Sequence, residues 1–249
     1  MSVPEYKSMV YDEIIGWALD RELIVMINIH HYDELMQYPN QHRQRFLTIW
    51  KQIAEHYSEY PATLLFEVLN EPHDLLTPEL WNTFLTEAID VIRLSNPHRT
   101  LVIGTAPWGG FYGLEHLEVP VNDRNIIVTV HYYDPFQFTH QGAGWAGEES
   151  NEWVGTTWEA TPGEMSAIDE SFNNVYEWAN QHNRPIHLGE FGAYQVAPYE
   201  SRILWTDYVR NAAEQRDFSW SYWEFGAGFG AYDRESSQWR EELLEALIP

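Results

Sequence analysis

Residues 64–72 read LLFEVLNEP, an almost unbroken apolar run that ends in Asn70, Glu71 and Pro72. Short continuous apolar runs are typical of parallel strands that are covered on both faces. A proline disfavours helical backbone at the residue before it, so Pro72 predicts an extended Glu71 where the strand ends. The stretch therefore predicts a buried strand with a carboxylate at its carboxyl end.

The same pattern recurs along the chain, which gives six predicted strands: Leu23–His30, Leu64–Asn70, Thr100–Gly104, Ile126–His131, Pro185–Glu190 and Phe218–Trp223. Helical patterns lie between them, and two of these begin with a threonine N-cap followed by proline, at Thr77-Pro78 and Thr161-Pro162. Alternating strands and helices indicate an α/β fold built from parallel βα units.

The 249 residues suit one α/β barrel domain, and no internal repeat, linker or charge block divides residues 1–249. We expect a first helix over Tyr6–Asp20 and a last helix from about Ser237. The Gly/Trp-rich segment Pro135–Thr161 is too long for a plain connection and is predicted to be a functional loop.

Composition narrows the class of ligand. The net charge of −24 disfavours nucleic acid, anionic membranes and acidic substrates. With 12 Trp, 15 Tyr and 11 Phe the chain is rich in flat apolar rings, and Trp145, Trp153 and Trp158 lie in polar stretches that packing alone explains less well. Such rings suit a cleft for a neutral sugar chain. No run approaches ~18 apolar residues, and the first residues lack a signal-peptide pattern, so any secretion signal would lie outside this chain.

Polar or aromatic side chains end five of the six predicted strands: His30-His31, Asn70-Glu71, His131 with Tyr133, Glu190, and Trp223. Because the carboxyl ends of parallel strands meet at one rim of a barrel, we expect these side chains to converge there. Each ending taken alone is more typical of a turn former, and the set of five carries the prediction.

Glu71 and Glu190 are the predicted catalytic pair, since one protonated and one ionised carboxyl group on the same rim is what glycoside hydrolysis requires. Alone, each is more typical of a solvated loop carboxylate. Gly189 and Gly192 flank Glu190 and suggest an atypical backbone there. Glu67 lies within its strand and is expected to face away from the Asn70 side chain.

His131 and Tyr133 are two residues apart on an extended segment and should share a face, although a core histidine beside a packing tyrosine is the other interpretation. His30 and His31 are adjacent and are expected to point to opposite sides. With no cysteine and no HExxH motif, no metal site is predicted, and no phosphate loop or G-x-S-x-G motif indicates a cofactor or a serine hydrolase. Trp223 precedes the glycine-rich stretch GAGFGAY and is predicted to lie on an exposed rim, with a core tryptophan as the alternative. The same argument applies to Trp108 in TAPWGG.

Taken in order, the segments INIHH (27–31), LNEP (69–72), HYYDP (131–135), GEFG (189–192) and Trp223 resemble glycoside hydrolase family 5, which has a (β/α)8 fold and cleaves with retention. The resemblance runs through nearly the whole chain. It implies that Glu71 is the acid/base and Glu190 the nucleophile, and that Asn70 holds the sugar 2-hydroxyl. It also implies that His131 and Tyr133 hydrogen-bond around the carboxylates, while His30 and Trp223 line the cleavage subsite.

The resemblance implies a β-linked polysaccharide or oligosaccharide substrate, no cofactor, and a secreted or periplasmic location. An endo-β-1,4-glucanase is the first expectation, and a β-mannanase, a mixed-linkage glucanase or a carbohydrate-binding protein with impaired catalysis are the alternatives.

The start of the chain departs from the family pattern. Two βα units and an arginine that bonds the nucleophile precede the INIHH strand in the family, whereas this strand begins about 22 residues into the chain. We therefore expect an incomplete TIM-type barrel of six parallel strands, either self-associating into a homo-oligomer that covers its open edges or working with a partner that supplies the missing strands.

Overall fold

The structure is a computed structural model that describes the backbone of residues 5–249 and the side chains from residue 10 onward. The chain divides into two compact units. The first unit comprises the residues up to Gly109 together with Glu115–Val128, and the second comprises Gly110–Leu114 and Thr129–Pro249. Organisation as a single domain over 1–249 stays a prediction.

Within residues 5–249, the first unit contains four α-helices and three strands in the order α1 (Glu5–Leu19), β1 (Val25–Asn28), α2 (Asp33–Gln37), α3 (Pro39–His56), β2 (Leu64–Glu67), α4 (Pro78–Arg93) and β3 (Leu101–Gly104). Strand β4 (Ile126–Tyr132) begins in the first unit and ends in the second. The second unit continues with α5 (Phe136–Thr139), 3-10 turns at Gly144–Ala146 and Glu148–Trp153, α6 (Pro162–His182), β5 (Ile186–Phe191), α7 (Tyr199–Glu214), β6 (Ser219–Trp220), β7 (Tyr232–Asp233), β8 (Gln238–Trp239) and α8 (Glu241–Leu247).

The main strands follow the order β1-β2-β3-β4-β5-β6, and β7 and β8 form a separate antiparallel hairpin. Val25 pairs with Leu64, Phe66 with Leu101, and His187 with Ser219, in each case in parallel. The prediction of six parallel strands is confirmed, although most of the strands are shorter than the apolar runs that predicted them.

The helix starts follow their capping signals. The Thr77 hydroxyl accepts a hydrogen bond from Leu80 N at the start of α4. At the start of α6, Thr161 and Glu164 form a reciprocal capping box, which satisfies two backbone N–H groups that the helix itself cannot bond.

Each unit has its own aromatic core. In the first, Trp50 and Trp81 are buried and their indole N–H groups donate to the carbonyls of Val68 and Gly104, at 2.8 and 2.9 Å. In the second, Trp205 is buried beside Phe191 and donates to Asp134 O at 3.0 Å. Buried indoles generally find such a partner, and here each one ties a helix to a strand or to the loop that follows it.

Two sequence predictions are wrong. The last helix begins at Glu241 rather than near Ser237, because Ser237 has φ +56° in the tight turn of the β7–β8 hairpin. Trp158 is only 1% exposed and packs against Tyr208, so it belongs to the core, whereas Trp145 is exposed as expected. No helix within residues 5–249 is long and apolar enough to cross a membrane.

Arg99 fixes the loop that leads into β2. Its buried guanidinium donates to the carbonyls of Tyr57, Tyr60, Pro61 and Leu64 and to the side chain of Asn96. Lysine has a single ammonium group and cannot reproduce this fork.

We expect Arg99→Lys to lower the free energy of unfolding by about 2–3 kcal/mol, because carbonyls that are buried would lose their donors. Arg21→Lys is the control, since Arg21 is exposed and donates to one carbonyl only; its effect should stay within ~0.5 kcal/mol. Urea unfolding of both variants makes the comparison, and equal effects would mean that the fork adds nothing.

Candidate functional site

In the first unit, the predicted site residues follow β1 and β2. The Asn28 amide donates to Glu67 Oε2 at 2.8 Å and lies 3.3 Å from His30 Nδ1. Its two N–H bonds can serve both acceptors at once, which makes His30 Nδ1 an acceptor and leaves the proton on Nε2. Asn28 therefore fixes the tautomer of His30, and it holds the buried Glu67 carboxylate.

His30 and His31 do not point to opposite sides, so that prediction is wrong. Their ring centroids are 4.5 Å apart in an edge-on contact. The reason is that β1 ends at Asn28, and the alternation of side chains holds only while the backbone remains a strand.

Glu71 is half-buried and adopts φ +43°, so the extended backbone predicted from Pro72 is also wrong. A left-handed conformation costs a non-glycine residue about 1–2 kcal/mol and persists only when neighbouring contacts hold it. Here the His73 ring donates to Glu71 O at 2.5 Å, and Trp108 N donates to Pro72 O at 3.0 Å.

His73 and Trp108 also stack on each other, with ring centroids 3.6 Å apart and planes 12° from parallel. Trp108 is 51% exposed, as an exposed rim residue should be. Just before this loop, Asn70 is buried and its backbone N–H donates to Ile29 O at 3.0 Å. The Asn70-Glu71-Pro72 segment is thus held from both sides.

In the second unit, three of the predicted residues come together. The Tyr133 hydroxyl donates to Glu190 Oε2 at 2.8 Å, and His131 Nδ1 lies 3.6 Å from the same oxygen. Glu190 is 9% exposed and His131 is buried as well. The prediction that His131 and Tyr133 share a face is confirmed, and both point at the carboxylate.

Gly189 and Gly192 do not have a left-handed φ, so they are not needed for an unusual backbone conformation. Instead, their missing side chains leave room for neighbouring atoms. A Cβ on Gly189 would lie 2.4 Å from Thr129 Oγ1 and 3.2 Å from His131 Nε2. A Cβ on Gly192 would lie 2.2 Å from Trp223 O. Since Trp223 N also donates to Phe191 O at 2.9 Å, the half-buried Trp223 is fixed directly against the segment that carries Glu190.

Sequence reasoning overlooked Asn28 and His73. Asn28 could have been found from its spacing of two from His30. The sequence signal for His73 was weak: it directly follows Asn70, Glu71 and Pro72, where the predicted strand ends.

The β5–β6 pair holds a further polar cluster. His187 Nδ1 lies 2.9 Å from Ser219 Oγ, and Nε2 lies 3.2 Å from Ser221 Oγ. Burial, followed by the charge of His131, lowers the pKa of His187 from 6.5 to about 4.

We expect Gly192→Ala to destabilise the protein and to disturb the indole of Trp223, because the added methyl group would lie 2.2 Å from the backbone oxygen of Trp223 and the backbone would have to shift. Gly163→Ala is the matched control: it lies in α6, where an added Cβ would meet nothing within 4 Å, and it should stabilise by roughly 0.5–1 kcal/mol. Thermal unfolding with tryptophan fluorescence measures both. If the two variants behave alike, the close approach of Gly192 to the Trp223 backbone is not required for stability.

The His187 shift predicts a pH dependence of stability. Between about pH 6.5 and pH 4, His187 binds a proton in the unfolded chain but stays neutral in the folded protein. Protonation therefore favours the unfolded chain, and the free energy of unfolding falls as the pH falls through that window. His187→Asn should flatten the slope of the unfolding free energy against pH. The control His98→Asn, at an exposed histidine, should leave that slope unchanged. An unaltered slope in the His187 variant would contradict the lowered pKa.

Most of the chain is similar to known proteins. Residues 3–228 match the family model described as Cellulase (glycosyl hydrolase family 5). Endoglucanase H of Acetivibrio thermocellus is 33% identical over 244 residues, which is 95% of this chain but 25% of that protein. The chain therefore spans about a quarter of that relative, and 42% of Endoglucanase 3 of Fibrobacter succinogenes.

Among solved structures, Thermotoga maritima Cel5A in complex with cellobiose is 51% identical with a TM-score of 0.97, over 99% of this chain and 80% of that one. Cel5A in complex with mannotriose is 50% identical with a TM-score of 0.96, over 100% of this chain and 82% of that one. The resemblance and the predicted TIM-type fold class are both confirmed.

Proposed function

Because the chain belongs to the cellulase family, glycosyl hydrolase family 5, we propose that it is a retaining endo-β-1,4-glucanase in which Glu190 is the nucleophile and Glu71 the acid/base. The observation that carries the proposal is the environment of Glu190, a carboxylate that is almost fully buried yet receives a 2.8 Å hydrogen bond from Tyr133. The endoglucanase names of the relatives support the same activity.

The proposed first step requires an ionised Glu190. Its carboxylate oxygen attacks the anomeric carbon, the bond to the leaving oxygen breaks, and Glu71 donates a proton to that oxygen. Burial alone would favour the neutral carboxyl group, whereas hydrogen bonds to the charged form oppose this. The Tyr133 hydroxyl supplies such a bond, and His131 lies close to the same oxygen.

In the proposed second step, Glu71 accepts a proton from water as the water attacks the glycosyl–enzyme, and Glu190 leaves as a carboxylate. Asn70 then holds the sugar 2-hydroxyl, and His30 and Trp223 line the subsite at the cleaved bond. These roles follow from the family resemblance and belong to the proposal. A secreted or periplasmic location, which the same resemblance implies, belongs to the proposal as well. So does a homo-oligomer that covers the open barrel edges.

A second substrate class has its own support. Cel5A, which is 50–51% identical to this chain over the aligned residues, is known in complex with mannotriose as well as with cellobiose. A β-mannan is therefore the alternative substrate, on the same two carboxylates.

The purified chain should release reducing sugar from carboxymethyl cellulose and mixed-linkage glucan, and mannan in the same panel tests the alternative. Binding of these glycans without hydrolysis would favour a carbohydrate-binding protein instead. Activity that appears only with an added partner protein would favour an incomplete unit. Proton NMR of the first products should show the β-anomer, and an α-anomer would exclude the covalent intermediate.

Replacing the two glutamates should separate their roles. Glu190→Gln should lower kcat at least ~1000-fold on every substrate, since no nucleophile remains. Glu71→Gln should lose roughly 100- to 10,000-fold on β-glucan but far less on aryl glycosides, whose leaving groups need little protonation. Equal losses on both substrate types would contradict the acid role of Glu71.

A further inference from the structure

Thr139 bonds to the two segments that carry Tyr133 and Glu190. Its hydroxyl lies 2.6 Å from Tyr133 O, and its own carbonyl accepts from Tyr194 N at 2.7 Å. Tyr194 lies four residues after Glu190, in the connection that follows β5. Thr139 is fully buried, so neither bond competes with water.

The direction of these hydrogen bonds follows from counting protons. Two carbonyl oxygens, which can only accept, lie near the Thr139 hydroxyl: Tyr133 O at 2.6 Å and Phe136 O at 3.4 Å. The shorter contact takes the single hydroxyl proton, so the hydroxyl donates to Tyr133 O. His140 Nδ1 lies 2.9 Å from the same hydroxyl oxygen and must therefore be the donor to it. His140 thus carries its proton on Nδ1 and orients the Thr139 hydroxyl toward Tyr133.

The His140 ring also restrains Tyr133 through packing. It meets the Tyr133 ring edge-on, with centroids 4.9 Å apart and planes at 78°, and it stacks on Phe136 at 4.0 Å. Backbone and ring of Tyr133 are therefore both held by neighbouring residues of one short segment, which lies at the start of the predicted functional loop Pro135–Thr161.

We propose that Thr139, oriented by His140, is a positioning residue that sets the distance between the Tyr133 hydroxyl and the Glu190 carboxylate. The inference rests on the proposed function, in which Glu190 is the nucleophile. Thr139 itself touches no substrate and acts through Tyr133.

The test compares Thr139→Val, which removes the hydroxyl at nearly constant shape, with Thr139→Ser, which keeps it. The backbone bond from Tyr194 remains in both. The probe is 2,4-dinitrophenyl 2-deoxy-2-fluoro-β-cellobioside: the Glu190 carboxylate attacks its anomeric carbon, dinitrophenolate leaves, and the slow-turnover adduct is followed by mass spectrometry. Thr86→Val controls for the same chemical change on an exposed face of α4.

We expect Thr139→Val to lower the maximal labelling rate by about 10- to 100-fold, the range expected when a reacting group is misplaced by up to ~1 Å. The probe concentration at half-maximal rate should stay unchanged. Thr139→Ser, which keeps the hydroxyl, and the control Thr86→Val should both label at the wild-type rate. A Thr139→Val rate equal to wild type, or a rise in half-maximal concentration with no loss of maximal rate, would overturn the inference.

A double-mutant cycle with Tyr133→Phe distinguishes positioning from general damage. If Thr139 acts through the Tyr133 hydroxyl, Thr139→Val should have little further effect once that hydroxyl is absent, whereas independent effects would multiply. Multiplying effects would refute the proposed route.

If Thr139→Val fails to fold, His140→Phe tests the same inference, because it keeps a ring at this position but removes the Nδ1–H donor to Thr139. Slower labelling is expected, and wild-type labelling would overturn the inference. Failure of the wild type to label at all would instead remove the proposed function, so the two failures are distinct.

Discussion

A carboxylate that is nine-tenths buried needs donors, and in the second unit the residues at the end of β4 face Glu190 to supply them. Tyr133 and His131 both reach one of its oxygens because they are two residues apart along the end of β4. The other contacts of this region follow from that requirement: Gly189 leaves room for Thr129 and His131, and Gly192 leaves room for the backbone of Trp223. Larger residues at these two positions would move the donors or the tryptophan.

The sequence was most informative where a residue type has one dominant physical consequence. Proline after a threonine marked the starts of α4 and α6, and nearly continuous apolar runs marked most of the six strands. The period of two along an extended segment placed His131 and Tyr133 on one face. These rules are local, and within each unit the parallel pairing of neighbouring strands extends them by bringing the ends of those strands side by side.

Sequence reasoning was wrong where tertiary contacts overrule a local preference. The residue before a proline prefers extended backbone, yet Glu71 has φ +43°, held by His73 and by the bond from Trp108 to Pro72. Nothing within LNEP reveals those partners. Thr139 was equally hidden, because a buried threonine within a helical turn is ordinary until the acceptor of its hydroxyl is known. The glycines beside Glu190 were noticed for the wrong reason, since their conformation is ordinary and only their neighbours require them.

The two glutamates are supported in different ways, and the difference suits the roles proposed for them. Glu190 is held through its carboxylate, by a side-chain donor that favours one protonation state throughout. The loop of Glu71 is held through its backbone, by bonds to the carbonyls of Glu71 and Pro72, and its side chain is only half-buried. A residue that must release a proton in one step and accept one in the next gains from a fixed backbone, because its position then does not depend on its charge. A nucleophile has the opposite need, since its charge before attack must be secured, and donors to the carboxylate meet that need directly.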